Sequence, residues 1–241
     1  MSDDFASKPA ARGAVWDRLQ EERLAAFPFP PHGRIPNFKG AAQAAARLFE
    51  IPAFHDARRI KVNPDAAQRP VRAEALRRGI TVFVPSPRLA GGFMKLDPAR
   101  ISPEDVPAAT MMSRCRRFAE EVALADLPQL DAIVCGSVAV TAAGFRCGKG
   151  EGYSDLEFAI LAELGHAPVP VATTVHDVQL VGGFPQAAND LPLSFIVTPS
   201  RTHVVARPPA APSGIDWARL TPADLEAMPV LAELKALQDT A

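Results

Sequence analysis

Apolar positions recur along this chain with two different periods, and the two periods alternate. Helical spacing predicts helices over residues 15–25, 41–49, 71–78, 114–125 and 156–165, and a last helix from residue 221 that Pro229 interrupts. Short apolar runs predict strands over residues 57–62, 80–84, 132–135, 168–173, 193–198 and 203–205. Ser102 followed by Pro103 marks a further helix start. This alternation predicts an α/β fold, a three-layer αβα sandwich with a mainly parallel, Rossmann-like sheet.

The most specific segment, residues 144–155, reads Gly-Phe-Arg-Cys-Gly-Lys-Gly-Glu-Gly-Tyr-Ser-Asp. Alternating glycines leave backbone N–H groups exposed and let a ligand approach the main chain closely. The segment lies between a predicted strand and a predicted helix, which is where phosphate-binding loops of α/β proteins occur. It matches neither the Walker loop nor the dinucleotide fingerprint, so the residues alone leave both a ligand-binding loop and an ordinary turn open.

Length and composition narrow the class of protein. The chain has 241 residues, 48% of them hydrophobic, and we expect one domain over residues 1–241 with an N-terminal helical prefix over about residues 1–50. A net charge of −1 favours neither a nucleic-acid nor a membrane partner. Three cysteines without metal-ligand spacing, and an acidic N-terminus unlike a signal peptide, predict a cytoplasmic location. The sequence leaves the oligomeric state open.

The twelve-residue segment resembles the signature of the 5-formyltetrahydrofolate cyclo-ligase family, also called methenyltetrahydrofolate synthetases. The shared pattern is Gly-x-Arg-x-Gly-x-Gly-x-Gly-Tyr-x-Asp after a buried strand. Lys8 and Arg12, four residues apart, resemble the family's N-terminal basic pair. Residues 75–85 resemble its central helix-glycine-strand-proline segment, and the Met94-Lys95-Leu96 run that follows resembles its substrate strand.

The resemblance implies a NagB/RpiA/CoA-transferase-like fold and a ligase reaction. That reaction is the ATP-dependent closure of 5-formyltetrahydrofolate to 5,10-methenyltetrahydrofolate through a phosphorylated formyl group, with ATP and Mg²⁺. The residues that it assigns to catalysis are Lys149, Arg146 and Tyr153. Those that it assigns to the nucleotide are Lys8, Arg12, Gly148, Gly150, Glu151, Gly152 and Asp155, of which Asp155 would also orient the metal. Those that it assigns to the folate are Gln68, Met94, Leu96 and Tyr153.

The chain also departs from the family's pattern. Segments 34–40 and 174–177 resemble a divergent branch, Ser154 replaces a second tyrosine, and Leu156 stands where arginine is frequent. Gln68 is the nearest counterpart of a glutamate that contacts the pterin, and an amide cannot accept two donors as a carboxylate does. Three functions therefore stay open: a cyclo-ligase, a paralogue that binds nucleotide or folate without turnover, and an enzyme with another substrate, for example in thiamine-related metabolism.

Several other chemistry-bearing residues have a simpler interpretation. His176 and Asp177 are adjacent in the sequence, and neighbours on a strand point to opposite faces, so we expect them not to form a catalytic pair. Cys147 and Trp16 are expected to pack, and Lys39 is expected to be solvated.

Overall fold

The computed structural model describes residues 3–86, 89 and 91–238. The helices are α1 (Lys8–Glu21), α2 (Ala41–Leu48), α3 (Pro52–His55), α4 (Arg69–Arg77), α5 (Val106–Ala109), α6 (Tyr153–Glu163), α7 (Pro222–Ala227) and α8 (Pro229–Gln238). The strands are β1 (Arg59–Val62), β2 (Thr81–Pro85), β3 (Phe93–Leu96), β4 (Ala119–Val122), β5 (Ala132–Cys135), β6 (Ala139–Thr141), β7 (Arg146–Cys147), β8 (Val171–Thr174), β9 (Leu180–Val181), β10 (Phe195–Val197) and β11 (Thr202–Val204). Within these described ranges, no helix has both the length and the apolar character that crossing a bilayer requires.

The large sheet has the strand order β11-β10-β8-β5-β1-β2-β3-β4. The strands from β10 to β2 in this order run parallel to one another. The outer strands β11, β3 and β4 pair in the antiparallel direction. The predicted α/β sandwich with a mainly parallel sheet is therefore confirmed.

Alternate residues of the central strands pack into cores on opposite faces of this sheet. On β5, Ala132 and Val134 join the core beneath α2 and α4. Ile133 and Cys135 join the core beneath α6 and α8. This alternation is the period of a β-strand, and burial on both faces explains why the central strands read as continuous apolar runs.

A second, three-stranded sheet has the order β7-β6-β9; β6 and β7 lie between β5 and α6 in the chain, and β9 follows β8. The sequence predicted that the glycine loop lies between a strand and a helix, and the structure adds the hairpin of β6 and β7 between β5 and the loop. Helix α1 packs on this small sheet through Ala11 and Val15, against Ala139 and Cys147. The hairpin therefore docks the N-terminal helix beside the loop.

The predicted helix over residues 114–125 is wrong. The chain forms a short 3-10 turn at Cys115–Arg117 and then the edge strand β4. Pairing with β3 overrides the helical spacing, because Glu120 lies opposite Lys95 in the ladder and accepts a hydrogen bond from its ammonium group. The helix expected from Ser102 is only the single turn α5.

Candidate active site

The glycine loop, residues 148–152, joins β7 to the first turn of α6. Gly150 and Gly152 have φ values of 112° and 74°, a region that side chains strongly disfavour. A Cβ atom at Gly148 would lie 2.8 Å from Nη2 of Arg146. In the described part of the chain, the backbone N–H groups of this loop donate no hydrogen bond. The loop therefore presents free donors next to the N-terminus of an eleven-residue helix.

A cavity of about 750 Å³ opens beside this loop. Its wall includes Lys8 and Arg12 from α1, so the N-terminal basic pair lies beside the loop. Lys8 forms an ion pair with Asp190. Arg12 donates to the carbonyl oxygen of Gly148 at 3.4 Å and has no carboxylate partner among the described residues. The cavity thus holds a guanidinium group whose charge is available to a ligand.

Lys149 and Tyr153 also lie in this wall. The ammonium group of Lys149 forms an ion pair with Glu151 at 2.7 Å, and both side chains are well exposed to solvent. An exposed pair of this kind contributes little to stability, so an anionic ligand can compete for the lysine at small cost.

Arg146 and Asp155 connect the two ends of the loop. The Arg146 side chain is only 3% exposed, and its Nη1 donates to Oδ1 of Asp155 at 2.8 Å. Nη2 donates to the carbonyl oxygen of Gly136, and Nε donates to Oγ of Ser137. Burial lowers the pKa of Arg146, but the Asp155 carboxylate together with Cys135, Cys147 and Asp190 outweighs it, and the net pKa is raised. These contacts fit a positioning role for Arg146 more closely than direct contact with a reacting group.

Oδ1 of Asp155 also accepts the backbone N–H of Leu191 at 2.9 Å. The metal role predicted for Asp155 therefore depends on its other oxygen. No cluster of three or more metal-ligating side chains occurs within residues 3–86, 89 and 91–238. Mg²⁺ commonly binds through one or two carboxylates together with substrate phosphates, so Asp155 in the cavity wall fits such an ion when a nucleotide supplies the phosphates.

Asp65 was missed in the sequence, where residues 63–65 were interpreted only as the end of a strand. It lies in the cavity wall, and Arg72 holds its turn by donating to the carbonyl oxygens of Asn63 and Asp65. Burial raises the pKa of Asp65, although Arg72, Lys149 and other nearby cations oppose the effect. A polar triplet at the carboxyl end of a parallel strand is the signal that could have identified this residue.

The three residues assigned only to the folate are not in the cavity wall. Met94 and Leu96 are 2% and 0% exposed and belong to the core beneath α2 and α4. Gln68 is fully buried, and its Nε2 donates to the hydroxyl of Thr174 at 3.2 Å. Their role in substrate binding stays a prediction. Asp65, three residues before Gln68, is a carboxylate that does line the cavity.

A second buried ion pair joins the sheet to α6. Lys61 and Glu157 are 1% and 4% exposed, and the Lys61 ammonium contacts Oε2 of Glu157. It also donates to Oδ1 of Asn63 at 2.9 Å. Burial raises the pKa of Glu157, while the contact with Lys61 opposes that rise. Sequence reasoning did not single out this pair, although a lysine inside a buried parallel strand is itself unusual.

The adjacent His176 and Asp177 do not hydrogen-bond to each other through their side chains. Nδ1 of His176 accepts from the backbone N–H of Val178, and Asp177 accepts from the hydroxyls of Thr198 and Ser200. Cys147 is buried and Lys39 is exposed, as the sequence predicted. Trp16, on α1, packs against the core between α1 and the small sheet, and its ring N–H donates to the carbonyl oxygen of Arg34.

Comparison with known proteins identifies relatives along nearly the whole chain. The profile of the 5-formyltetrahydrofolate cyclo-ligase family matches residues 5–199. The methenyltetrahydrofolate synthase domain-containing protein of Mus musculus is 44% identical over 238 residues, which cover 95% of this chain and 63% of the relative. The Homo sapiens protein of the same name is 35% identical over 242 residues, covering 98% and 63%. The chain thus spans less than two thirds of the length of these relatives.

A solved structure shares the fold. The NMR structure of 5,10-methenyltetrahydrofolate synthetase from Aquifex aeolicus matches with a TM-score of 0.52 and 17% identity, over 81% of this chain and 93% of that one. At this identity the likeness concerns the fold alone. The profile match across most of the sequence shows that the chain belongs to the 5-formyltetrahydrofolate cyclo-ligase family.

Proposed function

We propose that this protein closes 5-formyltetrahydrofolate to 5,10-methenyltetrahydrofolate at the expense of ATP. The proposal rests on one observation. The glycine loop, with Lys149, and the distant pair Lys8 and Arg12 all line the same cavity. A cavity of about 750 Å³ is large enough for a nucleotide and part of a second substrate. Family membership supports a ligase of this class.

The loop end of the cavity is suited to the triphosphate. The backbone N–H groups between Gly148 and Gly152 are free to donate, and the positive φ values of Gly150 and Gly152 are ones that only glycine adopts readily. The N-terminus of α6 adds a partial positive charge. Arg12 and Lys149 would neutralise the phosphate oxygens and stabilise the charge that spreads over them during transfer. Asp155 would hold Mg²⁺ through its other carboxylate oxygen, and the ion lowers the negative charge of the nucleotide when bound.

The chemistry requires two displacements in one site. The formyl oxygen forms a bond to the γ-phosphorus, and the bond from that phosphorus to the bridging oxygen breaks to release ADP. N10 of the folate then attacks the formyl carbon. The bond between that carbon and the phosphorylated oxygen breaks, which releases phosphate. N10 loses its proton in this step. Asp65 is the candidate acceptor, because a carboxyl group with a raised pKa is suited to general base catalysis near neutral pH.

Absorbance of the methenyl product tests this proposal. The purified protein is expected to form the product only when ATP, Mg²⁺ and 5-formyltetrahydrofolate are all present, and to release one phosphate for each ring closed. Omission of ATP is the control for slow acid-catalysed closure. No product at high enzyme concentration would contradict the proposal.

A second candidate function is binding without turnover. The observation that favours it is the position of Gln68, Met94 and Leu96, which lie outside the cavity wall although the family resemblance assigns them to the folate. This alternative predicts that ATP or 5-formyltetrahydrofolate raises the melting temperature while no phosphate is released. ATP-dependent release of phosphate with a substrate other than a folate, and without ring closure, would instead indicate an enzyme of another pathway.

A further inference from the structure

The Lys61–Glu157 ion pair lies in the core between the sheet and α6, where the neighbouring side chains are apolar. In the register of the sheet, Lys61 lies between Phe83 on β2 and Ile133 on β5, and both neighbours belong to the core beneath α6. Moving two charges out of water is costly, and an apolar pair of similar volume is often at least as stable. The pair is therefore poorly explained by stability alone.

The Glu157 carboxylate is only half used by the protein. Oε2 contacts Lys61 and accepts from Nδ2 of Asn63 at 3.4 Å. Across the part of the chain that the structure describes, Oε1 has no hydrogen bond, and Glu157 lies in the cavity wall. Oε1 is not one of the fully enclosed atoms that lack a partner, so a ligand in the cavity can reach it and donate a hydrogen bond to it.

Ser154 provides a neighbouring group of the opposite kind. It lies one helical turn before Glu157 on α6, and its Oγ accepts from Nδ2 of Asn63 at 2.9 Å. Since that oxygen is the acceptor, the hydroxyl proton of Ser154 is available to the cavity, whose wall includes it. Asn63 thus fixes the acceptor and the donor relative to each other.

We propose that Glu157 and Ser154 together recognise the edge of a neutral nitrogen heterocycle that presents an N–H donor beside an acceptor. Lys61 cancels the charge of Glu157, so the site favours a neutral donor over a cation. This inference rests on the proposed function, because the ring of a reduced folate carries such an edge. Glu157 and Ser154 are then specificity-determining contacts in the cavity wall, on the first two turns of α6 beyond the glycine loop.

Two double variants separate ligand contact from structural support. Lys61→Met with Glu157→Gln and Lys61→Met with Glu157→Leu both remove the two charges together, so neither leaves an unpaired buried charge. They differ in whether position 157 can accept a hydrogen bond. We expect the KM for 5-formyltetrahydrofolate to be about tenfold or more higher in K61M/E157L than in K61M/E157Q. Calorimetric titration with magnesium ATP should give equal affinities, since the loop is untouched.

Equal KM values in the two double variants would overturn the inference and leave the pair a structural feature. If either double variant fails to fold, Ser154→Ala decides, because it deletes one cavity contact and leaves the ion pair intact. It is expected to raise KM for 5-formyltetrahydrofolate about threefold to tenfold with little change in kcat. An unchanged KM would overturn the inference.

Failure of the proposed function gives a different result. If the wild-type protein makes no product, the dissociation constant for 5-formyltetrahydrofolate replaces KM in the same comparison. A difference of about tenfold between the double variants would then keep the inference while the cyclo-ligase proposal falls. Equal dissociation constants, or no binding by the wild-type protein, would overturn both.

Discussion

Two buried ion pairs share helix α6, and they differ in how completely the protein satisfies them. Arg146 donates to a carboxylate, a carbonyl and a hydroxyl, and it faces Asp155 at the mouth of the glycine loop. Lys61 and Glu157 leave one carboxylate oxygen without a donor among the described residues and expose that edge to the cavity. Arg146 and Asp155 therefore fit a role in holding the glycine loop, whereas Lys61 and Glu157 leave an acceptor that a ligand can use.

The largest expected effect comes from breaking the first pair. Asp155→Ala leaves the Arg146 guanidinium, only 3% exposed, without its carboxylate and removes the acceptor of the Leu191 N–H. We expect the free energy of unfolding in urea to fall by about 3–5 kcal/mol. Glu22→Ala, which breaks the exposed Arg18–Glu22 pair, is the control and should cost less than about 1 kcal/mol. Equal losses in the two variants would mean that Arg146 does not need its partner.

Lys149→Ala should affect activity rather than folding. Its side chain is 36% exposed and lies in the cavity wall, so removal takes away phosphate stabilisation without leaving a buried gap. We expect kcat to fall by about 100-fold to 1,000-fold, while the free energy of unfolding changes by less than about 0.5 kcal/mol. Lys39→Ala is the matched exposed lysine and should have no effect on either quantity. A Lys149→Ala enzyme with full turnover would indicate that the loop is only a structural turn.

Two glycines at opposite ends of α6 separate backbone strain from ligand binding. Gly150 and Gly165 both have positive φ, and a Cβ atom at Gly165 would meet nothing within 4 Å. Alanine at either position should cost about 1–2 kcal/mol of stability from strain alone. Only Gly150→Ala should also weaken the binding of ATP, by about tenfold in a calorimetric titration, because the substitution moves the backbone N–H groups of the glycine loop. An unchanged affinity in Gly150→Ala would show that the loop's exact backbone is not part of the site.

The smallest effect concerns acid stability away from the cavity. Burial raises the pKa of Asp177, but hydrogen bonds from Ser200 and Thr198 outweigh it and lower the net pKa. A lowered folded-state pKa adds stability above the unfolded value of about 3.9, and that stability is lost as pH falls through the folded value. Asp177→Asn should therefore flatten the decline of melting temperature below about pH 4. Parallel curves for both proteins would contradict this.

Much of the fold was predictable because buried parallel strands and amphipathic helices leave strong local patterns. The strand at residues 132–135 and the helix that ends near Gly165 are confirmed. The helix over residues 114–125 was wrong, because the pairing of β4 with β3 is a tertiary effect that helical spacing does not report. The small sheet was missed for a similar reason, since its strands have only two or three residues each.

The site was predictable only where a motif is continuous in the chain. Residues 148–155 were singled out from their own pattern and Lys8 and Arg12 from the family resemblance, and all of them line one cavity. Asp65 and Glu157 were not found, because each gains its meaning from neighbours on other elements. Lys61 was an anomaly already visible in the sequence, a charged residue between the apolar residues Ile60 and Val62 of β1.

The central claim is that the glycine loop binds the phosphates of ATP, and calorimetric titration of magnesium ATP into the wild-type protein tests it most directly. The account predicts a saturable heat that fits one site for each chain and weakens in Lys149→Ala. Absence of any saturable heat, or an identical titration with Lys149→Ala, would contradict it.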